Sequence, residues 1–276
     1  MGKYFTDEQL KQYDEDGFVL VKGLYSHKQI EAIRNDLREH AADYFAHPEK
    51  YQPRDVLVEP LSAEQLSEIT DPLQRVRKFQ ALTSVPNMIR HFDANSIAAK
   101  MVAELIGDNK LRLLFLSCFA KPAKHGTETP WHQDQALWSQ WMRTATSCWI
   151  AVDECTIENG CLEFVPGAHR GMIDHVLEKG APHVFVPKDQ VNGNDVVYVT
   201  MEPGDGVFFG GLALHHSEPN RSDKRRLGIP AVYISDADLA DSVQWGAWMK
   251  MKERNQLSVG AGPQVYDSRL PIVIED

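Results

Sequence analysis

Cysteine, basic charge and long apolar runs are all scarce in this chain. Only four cysteines occur in 276 residues, at Cys118, Cys148, Cys155 and Cys161. None forms a Cys-x-x-Cys pair and three lie in apolar or strand-like runs, so they read as reduced, packed thiols of a cytoplasmic protein, not as a thiolate zinc site. No stretch reaches the roughly 18 consecutive apolar residues of a membrane-spanning helix. The opening MGKYFTDEQLKQYDEDGF has no apolar core behind a basic end, and no secretory signal is expected from it. Lys and Arg total 29 against 39 Asp and Glu, a net charge of −10. Such a balance is not built to coat nucleic acid or an anionic membrane surface. The expected partner is a small molecule, with the chain a monomer or homodimer.

What is present is a globular composition, 43% apolar and 25% charged. That excludes disorder and coiled coil, and a chain of this length can bury a core without disulfide or metal staples. The first third reads helical. Thr6 followed by Glu8 and Gln9 opens a short helix, Gly17–Gly23 is a strand bracketed by glycines, and Ser26 caps a long helix with Ile30, Ile33, Leu37 and Ala41 on one face. Residues 48–80 carry no firm pattern. A further helix is expected over Ser96–Ile106, with Gly107 ending it. After Asn109 the texture becomes short β-branched runs: 111–119, 145–152, 161–165, 196–201, 206–209 and 228–234. Turn signals such as Pro166-Gly167 and Pro203-Gly204-Asp205-Gly206 separate them, which predicts an antiparallel sandwich or barrel with helices outside it.

Two His-x-Asp triplets occur, and about one is expected by chance, so context must separate them. His91 and Asp93 fall in a helical pattern, where i and i+2 side chains do not share a face, and His91 reads as a surface or packing residue. His132 and Asp134 lead into the β region, where i and i+2 project together and can grip one ion. A second histidine stands in Leu214-His215-His216-Ser217-Glu218-Pro219-Asn220. Adjacent strand residues face opposite ways, so only one of His215 and His216 can join the set. Two histidines and a carboxylate form the facial set that leaves positions open on Fe(II). Arg226 lies beyond the turn and opens the strand 228–234, expected to pair with the strand of His215. A guanidinium there can hold a carboxylate near the metal, with Ser217 on the His215 face; taken alone, Arg226 reads better as part of a solvated basic turn with Arg221, Lys224 and Arg225, and only the whole constellation reverses that.

These residues resemble the phytanoyl-CoA dioxygenase family of Fe(II)/2-oxoglutarate oxygenases. Trp131-His132-Gln133-Asp134 is similar to its metal-binding turn. Trp149-Ile150-Ala151-Val152-Asp153, Glu158-Asn159-Gly160-Cys161-Leu162 and Val165-Pro166-Gly167-Ala168-His169 are similar to its central segment. Gly204-Asp205 through His215-x-Ser217-x-Pro219-Asn220-x-Ser222 to Arg226 resembles its closing motif, and Phe5–Gln9 with Asp16-Gly17-Phe18 its opening. The resemblance implies His132, Asp134 and His215 as iron ligands. It implies Arg226 as partner of the distal carboxylate of 2-oxoglutarate, Ser217 as its helper, and Trp149 as a wall of the co-substrate pocket. The implied fold is mainly β, a double-stranded β-helix (a cupin-like jelly roll) with flanking helices. The expected division is a single oxygenase domain over 1–276, with a helical buttress to 110, the jelly-roll core over 111–235 and a packing segment over 236–276. Fe(II), 2-oxoglutarate and O2 are the implied cofactors. Because Asp134 is a carboxylate where related halogenases carry a small residue, hydroxylation is the implied outcome.

Around the metal turn Trp131, Trp138, Trp141 and Trp149 suit either an aromatic substrate wall or sheet–helix packing. Gln133, Gln135 and Trp138 are the candidate substrate residues. The long polar stretch 171–194 suits a lid or a tolerated insertion. Trp245, Trp248, Met249 and Met251 suit a packing or dimer-contact helix. Lys121, Lys124 and His125 form only a modest basic cluster, which favours a small metabolite over a CoA thioester. A zinc or manganese hydrolase would use the same three ligands but leave Ser217 and Arg226 without a task. A non-catalytic jelly-roll module would be expected to lack at least one of the four.

Overall fold

The computed structural model describes residues 3–60, 62–80, 82–124, 126–138, 142–179, 183–241 and 270–274. Its elements run α1 (Asp7–Asp16), β1 (Phe18–Val21), α2 (His27–Ala46), β2 (Val56–Val58), α3 (Ala63–Glu68), β3 (Val76–Phe79), α4 (Pro86–Ile89), α5 (Ile97–Ile106), β4 (Lys110–Leu116), β5 (Cys118–Lys121), β6 (Thr129–His132), β7 (Thr146–Ala151), β8 (Leu162–Phe164), β9 (Val197–Val199), β10 (Gly206–Gly210), β11 (His215–Ser217), β12 (Arg226–Ser235) and β13 (Leu270–Val273). Thr6 and Ser26 each close a capping box, with Gln9 and Gln29 as the reciprocal partners, so both helices start where their first orphan N–H groups are satisfied. Gly17 and Gly107 end α1 and α5 in the left-handed region, with φ of 86° and 74°. No helix among the described residues is long and apolar enough to cross a membrane.

Two antiparallel sheets carry the fold. The larger runs β1-β10-β7-β12-β5-β3-β2, with β4 also on β12 and β13 on β4; the smaller runs β6-β11-β8-β9. Strand alternation assigns each face of the larger sheet. Cys148, Ile150, Phe208, Leu227 and Ile229 pack with Ile30, Ile33 and Leu37 of α2 and with α5. Trp149, Ala151, Val207 and Phe209, one position off, meet Leu162, Phe164 and Val199 of the smaller sheet. The layers are therefore helices, larger sheet, smaller sheet, as a jelly roll requires. Each fully buried Ile or Leu of α2 contributes roughly 1.5–3 kcal/mol to holding the helical layer in place.

Several expectations change. The run 111–119 is two strands, broken at Ser117, whose N–H reaches Pro230 O at 3.4 Å. Pro230 sits in the middle of β12 and has no N–H to return, so one rung of the ladder is missing there. β12 does not pair with the strand of His215: its neighbours are β4, β5 and β7, whereas β11 lies between β6 and β8. The turn 218–225 crosses from one sheet to the other, which places His215 and Arg226 on facing layers. His91 and Asp93 lie in the turn between α4 and α5, and His91 Nε2 meets buried Asp36 at 2.6 Å, a packing role. The unassigned stretch 48–80 supplies β2 and β3 to the larger sheet, and the C-terminal part returns as β13. Trp141, Trp245, Trp248, Met249, Met251 and His125 lie outside the described residues. All four cysteines are buried and unpaired, and burial pushes Cys118 and Cys155 up to about 12, as expected of inert thiols.

Candidate metal and co-substrate site

β6 and β11 are antiparallel neighbours with His132 opposite His215, and this register brings the two imidazoles to a centroid distance of 4.2 Å. Asp134 is not on the strand: His132 ends β6, and Asp134 opens the 3-10 turn Asp134–Ala136 that turns its carboxylate back. His132 Nε2 and Asp134 Oδ1 lie 3.4 Å apart, and the ligand atoms of His132, Asp134 and His215 all fall within 4.8 Å of one another. His132 Nδ1 meets Pro130 O at 2.8 Å and His215 Nδ1 meets Ala213 O at 3.0 Å. Those carbonyls accept the Nδ1 protons, which leaves both Nε2 lone pairs aimed at the same point, the tautomer a metal ligand needs. Burial pushes His215 down to about 4, so it is neutral. For Asp134 burial acts upward, but the interactions with His132, and then with His215 and His183, outweigh it and hold the carboxylate below its ordinary range.

His216 turns to the other face, where its ring stacks on Trp131 at 4.9 Å and 17°. Parity thus separates the two histidines as the strand period demands.

Across the sandwich, Arg226 opens β12 in register with Lys121 of β5, and both are buried. Arg226 Nη2 donates to Gly160 O and the guanidinium lies 5.1 Å over the Trp149 ring. Its buried Nε has no hydrogen-bond partner among the described residues. Gly228 makes room for that indole: a Cβ there would stand 1.8 Å from Trp149 Cζ2. Lys121 Nζ donates to the carbonyls of Ser217, at 3.0 Å, and Glu218. Burial, then repulsion from Arg226, pushes Lys121 down to about 6. Two basic side chains side by side in the core, with backbone carbonyls as their hydrogen-bond acceptors, are suited to a carboxylate, whose charge would favour the protonated form of Lys121 that burial opposes.

The sequence matches the family profile described as "Phytanoyl-CoA dioxygenase (PhyH)" over residues 13–228. The chain belongs to the phytanoyl-CoA dioxygenase family. A probable phytanoyl-CoA dioxygenase of Caenorhabditis elegans is 26% identical over 246 residues, covering 85% of this chain and 77% of that one. A methylphosphonate hydroxylase of Gimesia maris is 33% identical over 112 residues, 40% of this chain and 41% of its own. The crystal structure of EctD from S. alaskensis with 2-oxoglutarate and 5-hydroxyectoine has a TM-score of 0.64 at 23% identity, covering 85% of this chain and 77% of that one, which establishes a shared fold. Iron and 2-oxoglutarate, the cofactor and co-substrate of this family, fit the residues present: the converging Nε2 lone pairs suit the metal, and the unpartnered Arg226 Nε suits a carboxylate.

The remaining sequence candidates of this family member take different places. Gln133 is fully buried and its amide is spent on the long loop and on Leu212: Nε2 donates to Gly171 O and Leu212 O at 2.8 and 2.7 Å, and Oε1 accepts from Ile173 N–H at 2.7 Å. Gln135 lines a cavity of about 530 Å³ together with Tyr13, Arg143, Thr146 and Leu212. Trp138 stacks on Phe115 and packs beside a small apolar cluster, and Trp131 packs with Val186 and Leu214. Lys124 is exposed and pairs with Asp223 at 2.6 Å.

Four groups near the site escaped the sequence reading. His175 and His183 ride on the long loop: Gln133 N–H donates to His175 Nε2 at 3.0 Å, and the His183 ring lies 4.6 Å from His132. Val186 N–H donates to Trp131 O at 2.7 Å, so the loop is tied to the metal strand on both sides of His132. Lys121 was visible only as part of a basic cluster, because its inward direction depends on the register of β5. Lys78 comes from the unassigned stretch; its Nζ sits 4.3 Å over the Phe119 ring, within the electrostatic field of Asp134 and His183. Burial pushes Lys78 down to about 8, with Asp134 opposing. A bound anion raises it again, so binding above that pH takes up a proton. The affinity for 2-oxoglutarate is therefore expected to weaken as pH rises past about 6, where Lys121 binds only with proton uptake, by up to about tenfold per pH unit, and to fall more steeply past about pH 8 as Lys78 joins. Calorimetry in two buffers of different ionisation enthalpy measures the proton uptake, and a flat affinity to about pH 9.5 would place both lysines outside the ligand's field.

Proposed function

We propose that this chain is a non-haem Fe(II)/2-oxoglutarate-dependent dioxygenase that hydroxylates an unactivated C–H bond of a small-molecule metabolite, releasing succinate and CO2. The observation that carries the reading is the pairing of the convergent His132, Asp134 and His215 set with a buried Arg226 on the facing sheet. His132, Asp134 and His215 would hold iron on one face and leave the opposite positions to ligands. Bound iron with dioxygen supplies the oxidant that removes the substrate hydrogen, a chemistry no side chain offers. Arg226 and Lys121, with Ser217 beside them, would bind the distal carboxylate. Lys78, in the field of Asp134, would balance charge at the iron end. Cations at both ends suit a dianion such as 2-oxoglutarate. Trp149 would close the pocket behind Arg226, and the loop carrying His183 would keep water from the metal. A methylphosphonate hydroxylase among the relatives, and a structural neighbour crystallised with 2-oxoglutarate and 5-hydroxyectoine, favour a small substrate.

The test is an anaerobic titration of metal-free protein with Fe(II) and then 2-oxoglutarate, followed by a screen of small metabolites for succinate release. A visible charge-transfer band that needs both additions, and a hydroxylated product, support the reading. Bound metal with no band after 2-oxoglutarate would remove it in favour of a hydrolytic or non-catalytic jelly roll.

A further inference from the structure

On the outer face of the smaller sheet, behind the iron ligands, stands a second group of metal-binding side chains. Glu128 immediately precedes β6, His216 lies in β11 and Glu218 directly follows it. Their ligand atoms all fall within 4.8 Å of one another. His216 Nε2 is 3.9 Å from Glu128 Oε2 and 4.0 Å from Glu218 Oε1. The histidine is 1% exposed, and neither ring nitrogen has a hydrogen-bond partner among the described residues. An imidazole buried with both nitrogens unsatisfied is costly unless something occupies them.

The surroundings indicate what that is. His216 Nδ1 faces the buried Glu163 carboxylate at 3.6 Å, its cross-strand partner. A carboxylate behind Nδ1 orients a histidine so that Nε2 carries the lone pair, the arrangement typical of histidine–metal sites. In front of Nε2, the Lys188 ammonium lies 3.0 Å from Glu128 Oε2 and 3.3 Å from Glu218 Oε1, marking a position where positive charge is held. Arg221 Nη2 takes the other oxygen of Glu218 at 3.0 Å, and Lys121 holds the Glu218 carbonyl from the inside. The Glu128 and Glu218 side chains are 42% and 28% exposed, which leaves an entry path.

We propose that Glu128, His216 and Glu218 form a second divalent-cation site that takes Zn2+ or a similar borderline ion in competition with the Lys188 ammonium. One imidazole and two carboxylates are zinc donors, with water completing the set. An ion there ties the two strands bearing His132 and His215 together from the outside and frees Lys188 from both carboxylates. The site does not depend on the catalytic reading, since none of its ligands belongs to the iron set.

The experiment uses the full chain stripped of metal, dialysed against buffered micromolar Zn2+, with bound zinc counted by mass spectrometry. Two ions per chain are expected, one at the iron set and one here. Glu128→Gln/Glu218→Gln is expected to hold one, and His132→Ala/Asp134→Ala also one. Lys188→Met, a change at an exposed residue that leaves the ligands in place, is expected to tighten the second zinc roughly fivefold by removing the competing charge. One zinc per unmodified chain would overturn the proposal. So would a second zinc indifferent to both the glutamine pair and Lys188→Met.

Discussion

Replacing His215 by alanine is expected to abolish turnover and to weaken Fe(II) binding by more than about 100-fold, beyond what loss of an outer-sphere partner costs. Asp134→Ala and His132→Ala are expected to do the same, because removing any one of three convergent donors leaves an incomplete set. His216→Ala is the informative control. It removes a buried ring stacked on Trp131 and so lowers stability, but the iron set stays intact and the 2-oxoglutarate band persists. The two substitutions are one position apart and differ only in which face of β11 they alter. Iron affinity and succinate production measured on both decide the matter. If His216→Ala lost the iron and His215→Ala kept it, the strand-face assignment would be wrong.

Arg226→Ala is expected to raise the 2-oxoglutarate requirement by about 100- to 1,000-fold, the cost of removing one member of a buried charge pair. Turnover at saturating co-substrate should change far less, since Arg226 lies on the sheet facing the metal set and removes a carboxylate partner, not a ligand. The split between KM and kcat distinguishes this from general damage caused by losing the bond to Gly160 O. Arg226→Lys is not expected to restore affinity: an ammonium lacks the planar fork and the stacking surface that meets Trp149. An unchanged 2-oxoglutarate requirement in Arg226→Ala would remove this residue from the co-substrate site.

The helix caps at Thr6, Ser26 and Gly107 were legible because capping is local chemistry, satisfied within a few residues of chain. Most strands after Asn109 were legible for the same reason. The two-residue period of a strand said that only one of His215 and His216 could join the set, and the family resemblance pointed to His215. What could not be read was partnership. The expected pairing of β11 with β12 failed because a tight, polar turn looks the same whether it closes a hairpin or crosses between layers. Lys78 and Lys121 stayed hidden because lysine is usually solvated, and only strand register reveals that these two point inward.

The sequence by itself therefore determined the opposite faces of His215 and His216, the packed cysteines and the capped ends of the helices, all set by interactions within a few residues. The tertiary structure decided that His132, Asp134 and His215 converge, which layers His215 and Arg226 occupy, which lysines are buried, how the loop of His183 is tied to the strand of His132, and that Glu128, His216 and Glu218 meet at all. Those outcomes come from packing distant segments against one another, where burial and register arise from the whole fold and no local pattern encodes them.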